Sequence, residues 1–322
     1  MELSSLSEKE IRKLAEQDSL PDGFLDACLA DGRTGVRKLA ATLTRRLAAA
    51  AGEKARLEQM LAYETQFAVK GCLPVGGVDE VGRGPLAGPV VAACVVLPLE
   101  DPIHGVNDSK QLTPQKREAL DVEIRRRALG LGLGQVDAAG IDQLNIHRAT
   151  LRAMKEAVAA CGPVRPAALL IDAMHLEDVE PPQVSLVRGD ERSYVVAAAS
   201  IVAKVHRDHL MIDLSQRYPR YHFEANKGYG TPDHMQALEK WGPCELHRRS
   251  FAPVADYALP SCRLFLESIG RANTLTALRT AGVRIRDTGT HLTPSELSTL
   301  RKAYRERLRL LGVSIDTLPG AI

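Results

Sequence analysis

The run Gly76-Gly77-Val78-Asp79-Glu80-Val81-Gly82-Arg83-Gly84-Pro85-Leu86-Ala87-Gly88-Pro89 constrains this chain more than any other. An apolar approach (Leu73, Val75, Val78) enters it, and a second apolar run, Val90 to Leu97, leaves it. Val90, Val91, Val95 and Val96 are β-branched and favour a strand. The segment therefore reads as strand, glycine turn, strand, with two adjacent carboxylates and one arginine at the turn. Glycine opens backbone angles closed to other residues and leaves its amides accessible to a partner. Carboxylates followed by bare amides and a guanidinium predict a site that holds a cation and a phosphate chain together. The spacing Gly82-x-Gly84-x-x-x-Gly88 is not the G-x-G-x-x-G that opens a helix in dinucleotide-binding folds. A site of that type is disfavoured.

At 322 residues the chain can hold one good-sized domain with appendages, or two domains. Its 45% hydrophobic and 25% charged content is ordinary for a soluble globular protein. No apolar run approaches the roughly 20 residues that span a bilayer, and the N-terminus lacks the apolar core of a signal peptide. Cys28, Cys72, Cys94, Cys161, Cys244 and Cys262 are scattered, without C-x-x-C or a histidine pair at zinc spacing. Reduced thiols in a cytoplasmic monomer are the expectation. The net charge is only +2, but it is unevenly spread: residues 71–256 carry 21 Lys+Arg against 24 Asp+Glu, and 257–322 carry 10 against 5. A slightly acidic centre that acts on nucleic acid needs local cationic patches and bound metal to offset phosphate repulsion.

Residues 1–70 read as helical. Ser7-x-x-Glu10 is a capping box before Ile11 and Leu14. Beyond Asp31-Gly32, Val36, Leu39, Leu43, Leu47, Leu57 and Leu61 recur at helical spacing. Arg33, Arg37, Lys38, Arg45 and Arg46 decorate that run, read as a solvated face in preference to a substrate-gripping arm. A helix is expected from Pro114, and a third strand over Leu129–Val136 despite its glycines. Leu144 to Val158 reads as a helix, Ala167–Asp172 and Gln183–Val187 as strands, Glu191–Arg217 as a helix with a small-residue face, and Pro232–Lys240 as a short helix. This order implies an α/β domain with a mixed sheet. In the tail, Thr293-Pro294-Ser295-Glu296 combines a capping box with proline at the first helical position, and Gly312 sits where a C-cap belongs.

Asp79, Glu80, Asp172 and Asp190 lie at strand ends or turns. Asp208 is 18 residues beyond Asp190 on one expected helix, roughly 27 Å away. Paired nuclease metals stand about 4 Å apart, so both aspartates cannot serve one site, and Asp208 is expected to pair with Lys204 or Arg207. Asp79 and Glu80 pose their own difficulty, because neighbours on a flat strand face opposite sides. Either the glycine turn twists both toward one ion, or one of them simply partners Arg83. Clustered carboxylates raise one another's pKa, which a divalent cation resolves. Oxygen ligands without His or Cys favour Mg²⁺ or Mn²⁺ over Zn²⁺.

With these residues in place the chain resembles a bacterial ribonuclease HII. The likeness is carried by Gly77 to Val91, Asn107-Asp108-Ser109-Lys110, Leu170-Ile171-Asp172, Gly189-Asp190, Ala197 to Asp208, Asn226-Lys227-Gly228-Tyr229-Gly230-Thr231 and His247-Arg248-Arg249-Ser250-Phe251, over about 75–255. Ala173-Met174, Glu191-Arg192 and Asn226 depart from the family's frequent Gly-Asn, Ala-Lys and His. The resemblance implies a ribonuclease H-like fold, a five-stranded mixed sheet flanked by helices, over 71–256. The helical N-terminal extension, 1–70, and the basic, partly helical C-terminal extension, 257–322, are read from the residues and lie outside the family pattern. It implies cleavage of the RNA strand of RNA–DNA hybrids and incision at single ribonucleotides in duplex DNA. Asp79, Glu80, Asp172 and Asp190 fall on the family's metal-binding carboxylates. Gly82-Arg83-Gly84 matches the segment that reads the ribose 2′-hydroxyl, and Tyr229 the tyrosine that stacks there. Only the 2′-hydroxyl tells RNA from DNA at one nucleotide, and bare amides can approach it. The alternative for Tyr229 is a loop aromatic packed inward.

The expected chemistry is two-metal hydrolysis leaving a 5′-phosphate and a 3′-hydroxyl. Lys110, Lys227, Arg248 and Arg249 are the candidate phosphate contacts, with Ser109 as an extra donor. Two rivals remain: a hybrid-binding module without turnover, and a two-metal nuclease that ignores ribose.

Overall fold

The computed structural model describes residues 3–17, 20–257, 260–288 and 292–313. Four helices come first: α1 (Glu8–Ala15), α2 (Phe24–Ala30), α3 (Thr34–Met60) and α4 (Ala62–Val69). The capping box of α1 closes as expected, with Glu10 N donating to Ser7 Oγ at 3.3 Å and Ser7 N to Glu10 Oε2 at 2.8 Å. Val36, Ala40 and Leu43 on one face of α3 pack with Ile11, Phe24 and Cys28 into a small core of their own. Leu57, Met60 and Phe67, further along, join the main core instead. Arg37, Lys38 and Arg45 are the exposed face the spacing implied. Arg33 is not part of it: its guanidinium grips Asp31 at 2.6 Å and the carbonyls of Leu3 and Leu6.

The central unit follows in the order β1 (Val75–Val81), β2 (Val90–Val96), α5 (Pro114–Arg127), β3 (Gly130–Val136), α6 (Ala138–Leu144), α7 (Ile146–Ala160), β4 (Gly162–Pro163), β5 (Ala168–Asp172), β6 (Gln183–Leu186), α8 (Gly189–Arg192) and α9 (Tyr194–Arg217). The sheet runs β4-β3-β2-β1-β5-β6. β1, β2 and β3 are antiparallel neighbours, while β5 joins β1, and β6 joins β5, in parallel. The five expected strands are all present. The sixth, β4, adds only two residues at the edge of β3, too few to leave a periodic signal.

Alternation along the strands feeds two cores. Val75, Val91, Ala93, Val95 and Leu170 face α9, and Val78, Val90, Ala92, Cys94 and Ile171 face α7. The glycines explain how closely these helices sit. A Cβ on Gly77 would run into the backbone of Val195 in α9, and Cβ atoms on Gly132 and Gly134 into the carbonyls of Ala157 and Ala153 in α7. That is why β3 tolerates Gly132 and Gly134: they are the floor on which α7 lies, while Gly130 makes room for the backbone of Val164.

Two expected helices are interrupted. The Leu144–Val158 run breaks at Asn145, whose φ of 69° ends α6 and whose side chain caps α7 by accepting from Arg148 N. The Glu191–Arg217 run breaks at extended Ser193, which separates α8 from α9 and caps the latter. Then come α10 (Phe223–Asn226), α11 (Pro232–Trp241) and α12 (Val254–Tyr257).

The tail forms α13 (Pro260–Arg271), α14 (Leu275–Thr288) and α15 (Pro294–Leu310), packed around Cys262, Leu278, Leu300, Tyr304 and Leu308. Its predicted capping box forms at Thr293 and Glu296. All six cysteines are free thiols. Among the described residues no helix is long and apolar enough to cross a membrane.

Gly77 is the tightest point between sheet and helix. We expect Gly77→Ala to lower stability by about 3 kcal/mol or more, the upper range for overpacking. Urea unfolding would check this, and an unchanged midpoint would refute the close-packing account.

Candidate active site

β1 and β5 run parallel, and their pairing ends at Val78 and Ile171. The next residues, Asp79 and Asp172, therefore stand side by side on the face toward α9. Beyond Asp172 β5 stops, so nothing on that edge walls off Glu80, whose longer side chain reaches the same place from the other face. Carboxylate oxygens of Asp79, Glu80 and Asp172 lie within 4.8 Å of one another. The difficulty of adjacent residues on one strand is thus resolved at the strand end, where the neighbouring strand is missing.

Each carboxylate is held. Asp79 is buried, and its Oδ1 accepts from Glu80 N at 2.7 Å. Burial, then the charges of Glu80 and Asp172, push its carboxyl well above the ordinary range, and a hydrogen bond from Ser200 only partly offsets this. Burial likewise raises Glu80, opposed by Arg83, whose Nη1 stands 3.2 Å from Glu80 Oε1. Asp172 Oδ1 accepts from Gly189 N at 2.6 Å, which ties the end of β5 to the start of α8. Asp190, on α8, lies beside this group and not within it. It too is raised, chiefly by burial, with Lys110 Nζ 3.3 Å away pulling the other way. Asp208 pairs with Lys204 at 2.8 Å, as spacing implied.

Glu80 Oε2 is buried with no hydrogen-bond partner. Three crowded carboxylates, two of them disfavoured as anions and one with an orphaned oxygen, fit a divalent cation.

The glycine turn is clamped from behind by two fully buried arginines. Arg248 donates to the carbonyls of Gly82 (2.5 Å), Arg83 (2.8 Å) and Gly88 (2.9 and 3.0 Å). Arg207 donates to those of Pro89 (2.9 Å), Ala87 (3.1 Å) and Lys227 (2.9 Å). Gly82 (φ 87°) has no room for a side chain, since a Cβ would meet Arg207. Leu86 N donates to Gly228 O, which brings the loop of Tyr229 alongside. Tyr229 is exposed, not packed inward, and its ring lies 4.0 Å from where a Gly84 Cβ would be. His234 Nδ1, 2.8 Å from Tyr229 O, anchors that loop from beneath.

This geometry gives several of the expected phosphate contacts other partners. Arg248 cannot reach a substrate, because every nitrogen of its guanidinium serves the turn. Arg249 pairs with Glu296 of α15 at 3.3 Å. The Lys227 ammonium folds back on Glu224 O. Ser109 is buried against Ser200 at 2.9 Å, so it supports Asp79 from behind. Of these expected contacts, Lys110 keeps a largely exposed side chain beside the carboxylates.

Sequence reading missed Arg207, Ser200 and Glu64. Glu64 is a buried carboxylate on α4 that accepts from Ser193 Oγ (2.7 Å) and Val195 N (3.1 Å), and so caps α9 just past Asp190. Its signal was present: an acid at helical spacing between Met60 and Phe67 on a buried face.

The family model described as ribonuclease HII matches residues 76–254, and the one described as ribonuclease HII N-terminal domain matches 9–68. The chain belongs to the ribonuclease HII family. Ribonuclease HII of Lactobacillus delbrueckii subsp. bulgaricus is 50% identical over 247 residues, 77% of this chain and 95% of that enzyme. Ribonuclease HII of Desulfitobacterium hafniense is 46% identical over 254 residues, 78% and 97%. Among solved structures, ribonuclease H2 of Pyrococcus horikoshii OT3 is 26% identical with a TM-score of 0.49, covering 57% of this chain and 96% of that one. By its family membership the chain is an enzyme of the ribonuclease H type, an endonuclease. Neither family model reaches α13–α15.

A carboxyl whose pKa rises on folding contributes stability that is full below its unfolded pKa and lost as pH rises through the folded value. Asp79 and Glu80 should therefore make the metal-free protein less stable as pH climbs from about 4, the ordinary carboxylate range, to 7. Calorimetry in chelator should show a falling melting temperature that Asp79→Asn flattens. Mg²⁺ or Mn²⁺ should restore it at pH 7 more than at pH 4; identical profiles for the two proteins would rule this out.

Proposed function

We propose that this enzyme hydrolyses the RNA strand of RNA–DNA hybrids and incises at single ribonucleotides embedded in duplex DNA, leaving a 5′-phosphate and a 3′-hydroxyl. The observation that carries this reading is the meeting of Asp79, Glu80 and Asp172 beside the Gly82–Gly84 turn, with Tyr229 against its outer side. In this reading 71–256 is the catalytic unit, and 1–70 and 257–322 are its helical extensions.

Asp79, Glu80 and Asp172, with Asp190 beside them, are the residues that would hold Mg²⁺ or Mn²⁺. A divalent cation bound there supplies Lewis-acid stabilisation of the phosphate and lowers the pKa of water. The chain's own residues do the rest. Arg248 and Arg207 fix the turn so that the amides of Gly82 to Gly84 stay open toward a ribose. Arg83 steadies Glu80 and presents its remaining donors outward. Tyr229 offers a stacking face at the junction, and Lys110 offers a cation to the phosphate next to the cut. A preformed site of this kind avoids reorganisation cost when charge develops.

The deciding assay uses a duplex with one embedded ribonucleotide, with and without Mg²⁺. Cutting at the ribonucleotide and none in the all-DNA duplex is expected. Asp79→Asn should abolish cutting and spare binding, whereas full activity in that variant would refute the scheme. Base–aromatic stacking is worth about 1–3 kcal/mol, so Tyr229→Ala should slow cleavage roughly tenfold at single ribonucleotides. Equal cutting of DNA and ribonucleotide-containing duplexes would favour a nuclease blind to ribose.

A further inference from the structure

A concave feature of the surface lies against the carboxylate cluster. It is a cleft with a cavity volume of about 710 Å³ between the outer face of α7 and the segment that follows Asp172. Arg83, Arg148, Arg152 and Lys155 line it, over a floor that includes Leu151 and Met174. Arg83 is common to the cleft and to the site, since its Nη1 also holds Glu80. The wall at Ala173 continues directly from Asp172, so the two features are contiguous. A strand seated on the carboxylates would run into this cleft.

Arg148, Arg152 and Lys155 occupy positions i, i+4 and i+7 of α7, which puts them on one face. The row is roughly 10 Å long at 1.5 Å per residue, about three nucleotide steps at ~3.4 Å of rise each. Their neutralisation is incomplete. Arg152 engages Glu156 at 2.8 Å, and Lys155 reaches exposed Asp178 only at 3.7 Å. Among the described residues no carboxylate pairs with Arg148. Exposed pairs of this kind are worth about 0–1 kcal/mol, so a polyanion displaces them at little cost. The apolar floor suits the sugar face of a backbone rather than a free ion.

We infer that this cleft binds the sugar–phosphate backbone of the nucleic acid immediately beside the cut, with Arg148, Arg152 and Lys155 as its phosphate contacts. The inference rests on the proposed function and extends it, because it names where a substrate leaving the carboxylates is gripped. Contacts to phosphate position a duplex without reading its sequence, so the cleft should act alike on ribonucleotide-containing and all-DNA duplexes.

The experiment measures binding apart from chemistry. Fluorescence anisotropy would follow the full-length protein, in chelator, on a labelled all-DNA duplex and on one with a single ribonucleotide, across a salt series. The combined variant Arg148→Gln, Arg152→Gln and Lys155→Gln is compared with Arg301→Gln, Lys302→Gln and Arg305→Gln. The second set removes the same charge from exposed positions on α15. Each phosphate contact contributes about 0.9 to the slope of log K against log salt. The cleft variant should therefore lose about 2–3 from that slope and bind both duplexes roughly tenfold more weakly, while the α15 variant stays within about twofold. Unchanged binding in the cleft variant, or an equal loss in the α15 variant, overturns the inference. Failure to cut an embedded ribonucleotide would sink the proposed function and leave this binding result standing.

Discussion

Two guanidiniums buried without a carboxylate hold the active face of this protein in shape. Burying an unpaired charge is costly unless every donor finds an acceptor. Arg207 and Arg248 meet that demand with backbone carbonyls alone, from Gly82, Arg83, Ala87, Gly88, Pro89 and Lys227. Burial, then the charge of Arg207, draws the pKa of Arg248 down to about 9, so it remains a cation at neutral pH. Any shift of the turn would orphan a buried charge. The constraint thus runs from the interior outward and leaves the amides, Arg83 and the loop of Tyr229 fixed before a substrate arrives.

The same logic, inverted, governs the carboxylates. Asp79 and Glu80 are crowded and buried where anions are disfavoured, and Glu80 Oε2 has no donor. A cationic clamp and an anionic pocket stand back to back across the turn. The fold tolerates both because rigid elements hold each: α9 carries Ser200 in its N-terminal half and Arg207 near its middle, and lies on β1 through Gly77. The N-terminal helices reach the same structure through Glu64. By capping α9 next to Asp190, they support one of the candidate ligands from 126 residues away in the chain, counting from 64 to 190.

Much of this was legible in the chain itself. The β-branched runs about the glycine turn marked β1 and β2, and both capping boxes marked helix starts that formed where expected. Helix geometry alone separated Asp208 from Asp190. Less was legible at breaks and edges. Asn145 and Ser193 interrupt helical periodicity because each caps the helix that follows, and polar residues of that kind also occur within helices. β4 is too short to carry a period.

The roles of the basic residues could not be read locally at all. Arg248, Arg249, Lys227 and Arg148 are alike as letters, and only the paths of distant segments made the first a buried clamp, the second a partner of α15, and left the last over an open cleft. What the sequence by itself determined was the inventory: which segments become strands, which helices, and which acids sit at strand ends. Periodicity and capping act within a few residues, so they can be read from the chain. The tertiary structure decided which acids meet and which cations face solvent, because those outcomes depend on strand order, on where β5 stops, and on carbonyls brought in from elsewhere in the chain.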